Sequence, residues 1–324
     1  MSPSITDLLK IGEEVTDAEE ESFLLFTQDI PTGNLGFIDS RAATVDVSIR
    51  DNEYTIHQSP TLLSSSRAGG TTGAGNPVEN HTPLRRLDLK SQNPLWTTSF
   101  LTQDSIVTEL GCGISALIPL TISPSIQHYI ATDQEYVRRY FRTNLDENAN
   151  ITKSKGKSKT STGTKNKSKK QGSTKGASAS ASAVSNLTPN SNITFTTLDW
   201  ELDQPALLKQ CIQESENDED KGFDLLLSCD CIYNDALITP LVSTCADICR
   251  LRPVYTSSGE AECQGLKPTV CIVAQQQRAP EVFETWLRET LREFRVWRIS
   301  DEVLGDGLKG GTGYLVHLLL VREK

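Results

Sequence analysis

Val107-Thr-Glu-Leu-Gly-Cys-Gly-Ile114 decides how this chain folds. An apolar run, Ser105 to Leu110, enters two glycines one residue apart, and a helical pattern, Ile114 to Ile122, follows. Glycine permits the sharp turn and the close approach of backbone to a ligand, and the helix start behind the loop offers unsatisfied N–H groups. A strand, a glycine turn and a helix in that order open a parallel α/β unit.

Outward from this stretch the alternation continues. Strands are expected at His128–Thr132, Ile193–Leu198, Phe223–Ser228 and Pro268–Gln275. Helices are expected at Gln134–Asn144, Ala236–Leu251 and Pro280–Glu293. Near-continuous apolar strands alternating with helices predict a Rossmann-like seven-stranded sheet, parallel but for its closing pair and covered by helices on both faces. Arg295–Ser300 and Tyr314–Val321 follow one another without a long crossover helix, so they read as an antiparallel hairpin on the sheet edge. Upstream, Leu35–Ile38, Ala43–Ile49 and Tyr54–His57 predict a small N-terminal β-hairpin element.

Three segments stand apart by composition. Residues 10–22 carry six acids, from Glu13 to Glu21, and read as a solvated helix or tail. Residues 58–80 are rich in Ser, Gly and Thr and read as a loose loop. Residues 150–192 hold nine lysines and no acid among Ser, Thr, Gly and Ala; no core can be built from them, so disorder is expected. The domain plan is an acidic segment at 1–33, a small β element at 34–84, and the main domain at 85–324 with the Lys-rich insertion inside it. The Lys run reads as an insertion, with a localisation or nucleic-acid patch as the alternative.

The net charge is −10, and setting those nine lysines aside takes it to −19. So acidic a body disfavours direct nucleic-acid binding and suits a basic protein partner. The start MSPSITDLLK has no basic region before an apolar run, and no stretch of 18 apolar residues occurs. A cytoplasmic protein, with the nucleus as alternative, and a monomer are expected, with the eight cysteines reduced and mostly buried.

Several residues then fall at strand tips, where α/β sheets bind ligands. Gly111, Cys112 and Gly113 form the turn. Asp133 ends the next strand about 20 residues on, where a carboxylate can accept both hydroxyls of a ribose. This pair fits a nicotinamide cofactor or an adenosyl sulfonium cofactor. Trp200, in Leu198-Asp-Trp200, is placed to flank an adenine ring. Asp230-Cys-Ile-Tyr233 puts a carboxylate and a phenol at the rim of an apolar strand, a pairing suited to an amine. Metal is not expected, because C-x₂-C is absent and Cys245 and Cys249 lie one helical turn apart. A serine hydrolase is unsupported, because G-x-S-x-G does not occur. Gln275, Gln277 and Arg278 face either substrate or solvent.

Leu110–Gly113, Asp133, Leu198–Trp200 and Asp230–Tyr233 together resemble the seven-strand protein-lysine methyltransferases of the methyltransferase-like 21 group, over roughly 85–149 and 193–322. The resemblance implies S-adenosyl-L-methionine as cofactor and a lysine of a basic protein as methyl acceptor. Ribosomal protein L1 of the large subunit is the foremost client, with an elongation factor or chaperone as alternatives. Carried over by position, it implies a cofactor set of Trp96, Gly111, Cys112, Gly113, Asp133, Trp200 and Cys229, with Asp230 and Tyr233 catalytic. The loop departs from the commoner small-residue version at Cys112, which alters size and not backbone chemistry. A catalytically silent cofactor-binding module and a nicotinamide oxidoreductase are the competing classes.

Overall fold

The computed structural model describes residues 5–28, 41–49, 52–58, 93–149, 191–212, 222–255 and 267–323. Its centre is a run of parallel strands: β4 (Ile106–Leu110), β5 (His128–Asp133), β6 (Ile193–Thr197), β7 (Leu225–Cys229) and β8 (Val270–Gln276). Every residue of β4 is buried, and β7 is buried up to its last residue, as strands covered on both faces must be. Alternate side chains feed two cores. Val107, Leu225, Leu227 and Ile272 enter one, and Ile106, Leu110, Leu226 and Val273 enter the other. The second core is closed by α6 (Asp235–Cys249) and α7 (Pro280–Glu293), the first in part by α4 (Leu117–Ile122).

The strand order is β6-β5-β4-β7-β8-β10-β9, with β9 at Phe294–Ile299 and β10 at Tyr314–Val321. The chain winds one way from β4 to β6 and the other way from β7 onward, so a topological switch lies between β4 and β7. In open α/β sheets ligands bind above the strand ends at such a point. The closing pair is antiparallel as expected, but β10 lies inside it, between β8 and β9. All eight residues of β10, YLVHLLLV, are buried, whereas β9 has two partly exposed arginines, which explains which strand takes the inner place.

The acidic stretch 10–22 is the main departure from expectation. It is neither a tail nor one solvated helix: Gly12–Val15 forms strand β1, which pairs antiparallel with β9 and makes the sheet eight-stranded. Glu14 meets Arg295 at 2.8 Å and Glu13 meets Arg298 at 2.6 Å. Residues Ala18–Phe26 form α2, whose N-cap Asp17 accepts hydrogen bonds from the amides of Glu19 and Glu20. Three glutamates in its first turn suit the positive end of the helix dipole. The acids were legible; their arginine partners lie some 280 residues away.

The expected N-terminal hairpin forms from β2 (Thr44–Ile49) and β3 (Asn52–His57). Leu35–Ile38, residues 59–80 and the lysines of the 150–192 stretch lie outside the described residues. Two side chains one turn apart on α5 (Arg138–Asn148) dock the hairpin. Asn148 exchanges hydrogen bonds with the amide and carbonyl of Thr55 at 3.0 and 2.9 Å. Asn144 does the same with His57 at 2.7 and 3.1 Å, and also donates to the carbonyl of Ile114 behind the glycine turn at 2.7 Å. Asn144 is fully buried, so Asn144→Leu would leave three backbone groups unpaired. It is expected to cost about 2–4 kcal/mol in denaturant unfolding and to expose the 41–58 segment to protease. An unchanged unfolding midpoint would show the hairpin to be held by apolar packing alone.

Candidate functional site

The glycine turn leaves β4 with Gly111 at φ +64° and Gly113 at φ +61°, both left-handed. A Cβ on Gly111 would lie 2.5 Å from Cys231 Sγ and 3.5 Å from the Trp200 ring, so only glycine fits between them. A Cβ built on Gly113 would meet nothing within 4 Å among the described residues. The loop is therefore packed from behind and open in front. Ala116 also takes a positive φ, so α4 starts at Leu117, three residues later than the sequence pattern places it, and the turn is correspondingly longer.

Asp133 stands at the tip of β5. Its Oδ2 accepts from the Gly113 amide at 2.8 Å and its Oδ1 from the Gln134 amide at 2.7 Å, which fixes the carboxylate against the turn. Burial raises its pKa to about 6, against the pull of those two amides. The Cys112 amide bonds the Thr132 carbonyl at 3.0 Å, joining the two strand tips. Trp200 is half-buried, with its ring beside Gly111 and its carbonyl 3.4 Å from the Thr244 hydroxyl of α6. Trp96 lies on the short helix α3 (Pro94–Thr97), capped by Asn93, and packs with Cys112 and Cys229 against the first core.

Asp230 follows β7 directly, across the switch from Gly111. It is a non-glycine residue at φ +56°, a conformation Asp tolerates better than most side chains. Its amide bonds the Ala274 carbonyl at 2.7 Å. Its Oδ1 accepts from the Gln276 amide at 3.2 Å, and its Oδ2 is 2.6 Å from Arg278 Nη2. Burial pushes its carboxyl up, and Arg278 and the Gln276 amide draw it back. Tyr233, 37% exposed, lines a small pocket with Ile232, Gln275, Arg278, Phe26 and Phe283. Tyr136, in the 3-10 turn Glu135–Val137 after Asp133, has its phenol raised to about 12 by burial, then by Asp133 and Tyr233.

Gly111, Gly113, Asp133 and Trp200 are thus brought together at one end of the sheet, with Asp230 and Tyr233 across the switch. Cys112 and Cys229 sit at the tips of β4 and β7, their thiols held protonated by burial. Three further residues carry no assignment from sequence. Cys231 wedges under Gly111, its thiol 3.4 Å from the Leu110 carbonyl. Glu109 is fully buried on β4 and accepts from the Tyr129 hydroxyl at 2.6 Å, and burial lifts its carboxyl to about 8. A charged residue in the middle of an apolar strand is the visible signal for it. Arg278, for which sequence leaves substrate and solvent equally open, faces Asp230. Among the described residues no group of three or more His, Cys, Asp or Glu is placed to hold a metal, and no helix is long and apolar enough to cross a membrane.

The strand order, with antiparallel β10 inserted between β8 and β9 and a glycine turn at the switch, is a Rossmann-like α/β sheet with β1 added at its edge. The chain is similar to three fungal proteins named ribosomal lysine N-methyltransferase 5. It is 26% identical over 257 residues to that of Zygosaccharomyces rouxii, covering 75% of this chain and 72% of the relative. It is 25% identical over 284 residues to that of Kluyveromyces lactis, covering 78% and 77%. A shorter match, 31% identical over 140 residues, is to a protein of Schizosaccharomyces pombe named diaminohydroxyphosphoribosylamino-pyrimidine deaminase; it covers 43% of this chain and only 33% of that one. A solved structure described as a putative SAM-dependent methyltransferase from Streptococcus mutans overlaps 88% of this chain and 57% of its own at 7% identity and a TM-score of 0.42. No family model matches the chain.

Proposed function

We propose that this chain is an S-adenosyl-L-methionine-dependent protein-lysine N-methyltransferase acting on a ribosomal protein, with L1 of the large subunit as the foremost client. The observation that carries the reading is the pairing, across one switch point, of an open glycine turn backed by Asp133 with the rim carboxylate of Asp230. The names of the three fungal relatives supply the acceptor class. A body of net charge −19 outside the Lys-rich stretch suits a basic substrate, and such a substrate is met in the cytoplasm or nucleus.

The residues present fit the cofactor. Gly113 leaves its front open, the Asp133 carboxylate retains lone pairs for two ribose hydroxyls, and Trp200 offers an aromatic face beside Gly111. In this reading Gly111, Cys112 and Gly113 present backbone to it, Cys229 lies beside the adenine, and Trp96 closes the site. Bound there, the cofactor would supply an electrophilic methyl group. The chain's own residues deliver a neutral amine toward it. A free lysine has a pKa of about 10.4, so its deprotonation at pH 7 costs roughly 4–5 kcal/mol. Desolvation of the incoming amine lowers that cost, and Asp230 orients the nitrogen.

Asp133 gives a pH test. A ribose hydroxyl donates to an ionised carboxylate better than to a carboxylic acid. Because this carboxyl titrates near 6, cofactor affinity is expected to be full above pH 7 and to fall about tenfold by pH 5, as the proton displaces the ribose. In Asp133→Asn the affinity should be weak and flat across that range by calorimetry. A wild-type affinity that does not change between pH 7 and 5 would take Asp133 out of the cofactor site. The function itself is tested with tritiated cofactor and salt-washed large ribosomal subunits, followed by mass spectrometry of the labelled band. Label on a lysine of a ribosomal protein supports the proposal, and no label there, with label in parallel incubations with purified elongation factor or chaperone, would redirect it.

A further inference from the structure

Arg278 poses a question that the lysine-methyltransferase reading does not answer. A buried carboxylate beside an amine raises the amine's pKa, because it stabilises the ammonium form. Asp230 alone would therefore hold on the substrate the proton that must leave before methyl transfer. The structure places a guanidinium 2.6 Å from Asp230 Oδ2. The Arg278 side chain is 30% exposed and that of Asp230 11%, so the pair lies at the rim of the site. Arg278 is held a second time, its Nε donating to Gln276 Oε1 at 3.0 Å, and the Gln276 amide holds the other Asp230 oxygen.

We infer that Arg278 is a positioning residue that cancels the charge of Asp230 at the incoming amine, so that the carboxylate aligns the nitrogen without retaining its proton. A carboxylate and a guanidinium in contact act on a nearby amine as a dipole, far more weakly than an isolated charge. The carboxylate keeps lone pairs to accept one N–H. Arginine suits the role because it stays protonated at every working pH.

The other groups around the pair do not supply the missing charge. Cys229 and Cys231 flank Asp230, and burial keeps both thiols neutral. Asp133 stands at the tip of β5, beyond β4, Tyr136 and Tyr233 are partly exposed, and Glu109 is fully buried on β4; all are acids or phenols. The pocket residues from α2 and α7, which are Phe26, Val282 and Phe283, carry no charge. Arg278 is the cation that the described contacts place on Asp230.

The inference rests on the proposed lysine methylation, and the experiment separates the two. The full chain, Arg278→Gln and Arg278→Lys are assayed for kcat from pH 6 to 10, with tritiated cofactor and salt-washed large ribosomal subunits. Without the guanidinium the amine keeps its proton to higher pH, and the buried Asp230 loses its own proton only at higher pH. Both changes move the rising limb of kcat in the alkaline direction. For Arg278→Gln a shift of about one pH unit is expected, read as a roughly tenfold loss at pH 7 that is recovered by pH 9. Cofactor affinity should be unchanged and Arg278→Lys should restore the profile. A loss equal at all pH values, or a lower KM with an unmoved profile, as a mere plug would give, overturns the role of Arg278 and leaves the methyltransferase reading standing. No labelling by the unaltered chain overturns both.

Discussion

Asp230→Asn is expected to lose methyl transfer by a factor of about 10²–10³ while cofactor affinity and thermal stability stay close to those of the unaltered chain. Asparagine is the informative replacement. Residue 230 is at φ +56°, where Asn is tolerated and Ala is strained, so the amide keeps the backbone in place. Its carbonyl oxygen can still accept from the Gln276 amide, as Oδ1 does now. The negative charge facing Arg278 is what disappears, together with the strong acceptor for the substrate N–H. The size of the loss reflects alignment, since an amine off the S–C line forfeits most of the advantage of being held. Rate and affinity are measured separately, by turnover with tritiated cofactor and by calorimetry. Turnover within tenfold of the unaltered chain would show that Asp230 serves the fold and not the reaction.

Glu21→Ala is expected to destabilise the fold by about 3–5 kcal/mol without touching the site. Glu21 is a buried acid on α2, 6% exposed. Its Oε2 is 2.6 Å from Arg298 Nη1 on β9, and its Oε1 is 3.4 Å from the Nε2 of the fully buried His317 on β10. His317 is walled by Phe283 and Trp286 of α7. Removing the carboxylate strips the buried imidazole of its Nε2 contact and leaves Arg298 only the exposed Glu13, and a buried partner lost costs far more than a surface pair contributes. Glu13→Ala is the control. It meets the same Arg298, but its side chain is 78% exposed, so the expected change is within about 0.5 kcal/mol. Both are read from denaturant midpoints at constant slope. If the two variants were equally mild, the contact of α2 with the sheet would be apolar, through residues such as Phe26 against Phe283.

The glycine turn and the strand-tip acids were legible because they are local. A strand that ends in Gly-x-Gly has to turn, and a carboxylate after an apolar strand has to lie at the sheet rim. Hence Gly111, Gly113, Asp133 and Asp230 were found at the positions the structure gives them. Glu109 was harder, because its sequence signal is a lone acid in an apolar strand and its partner Tyr129 appears only in the fold. Arg278 could not be assigned from the sequence, since its partner lies 48 positions away on another strand end.

Periodicity and glycine placement by themselves determined the alternating α/β order, the parallel centre of the sheet and the end of it where the glycine turn and the strand-tip acids gather. These follow from short-range sterics and from which side chains water rejects. Tertiary structure alone decided that the acidic run from Glu13 to Glu21 becomes an edge strand and a docked helix, that β10 lies inside β9, and that Arg278 faces Asp230. Charge pairing and strand choice depend on what the folded chain brings near, and residues 280 positions apart carry no mark in sequence of having met.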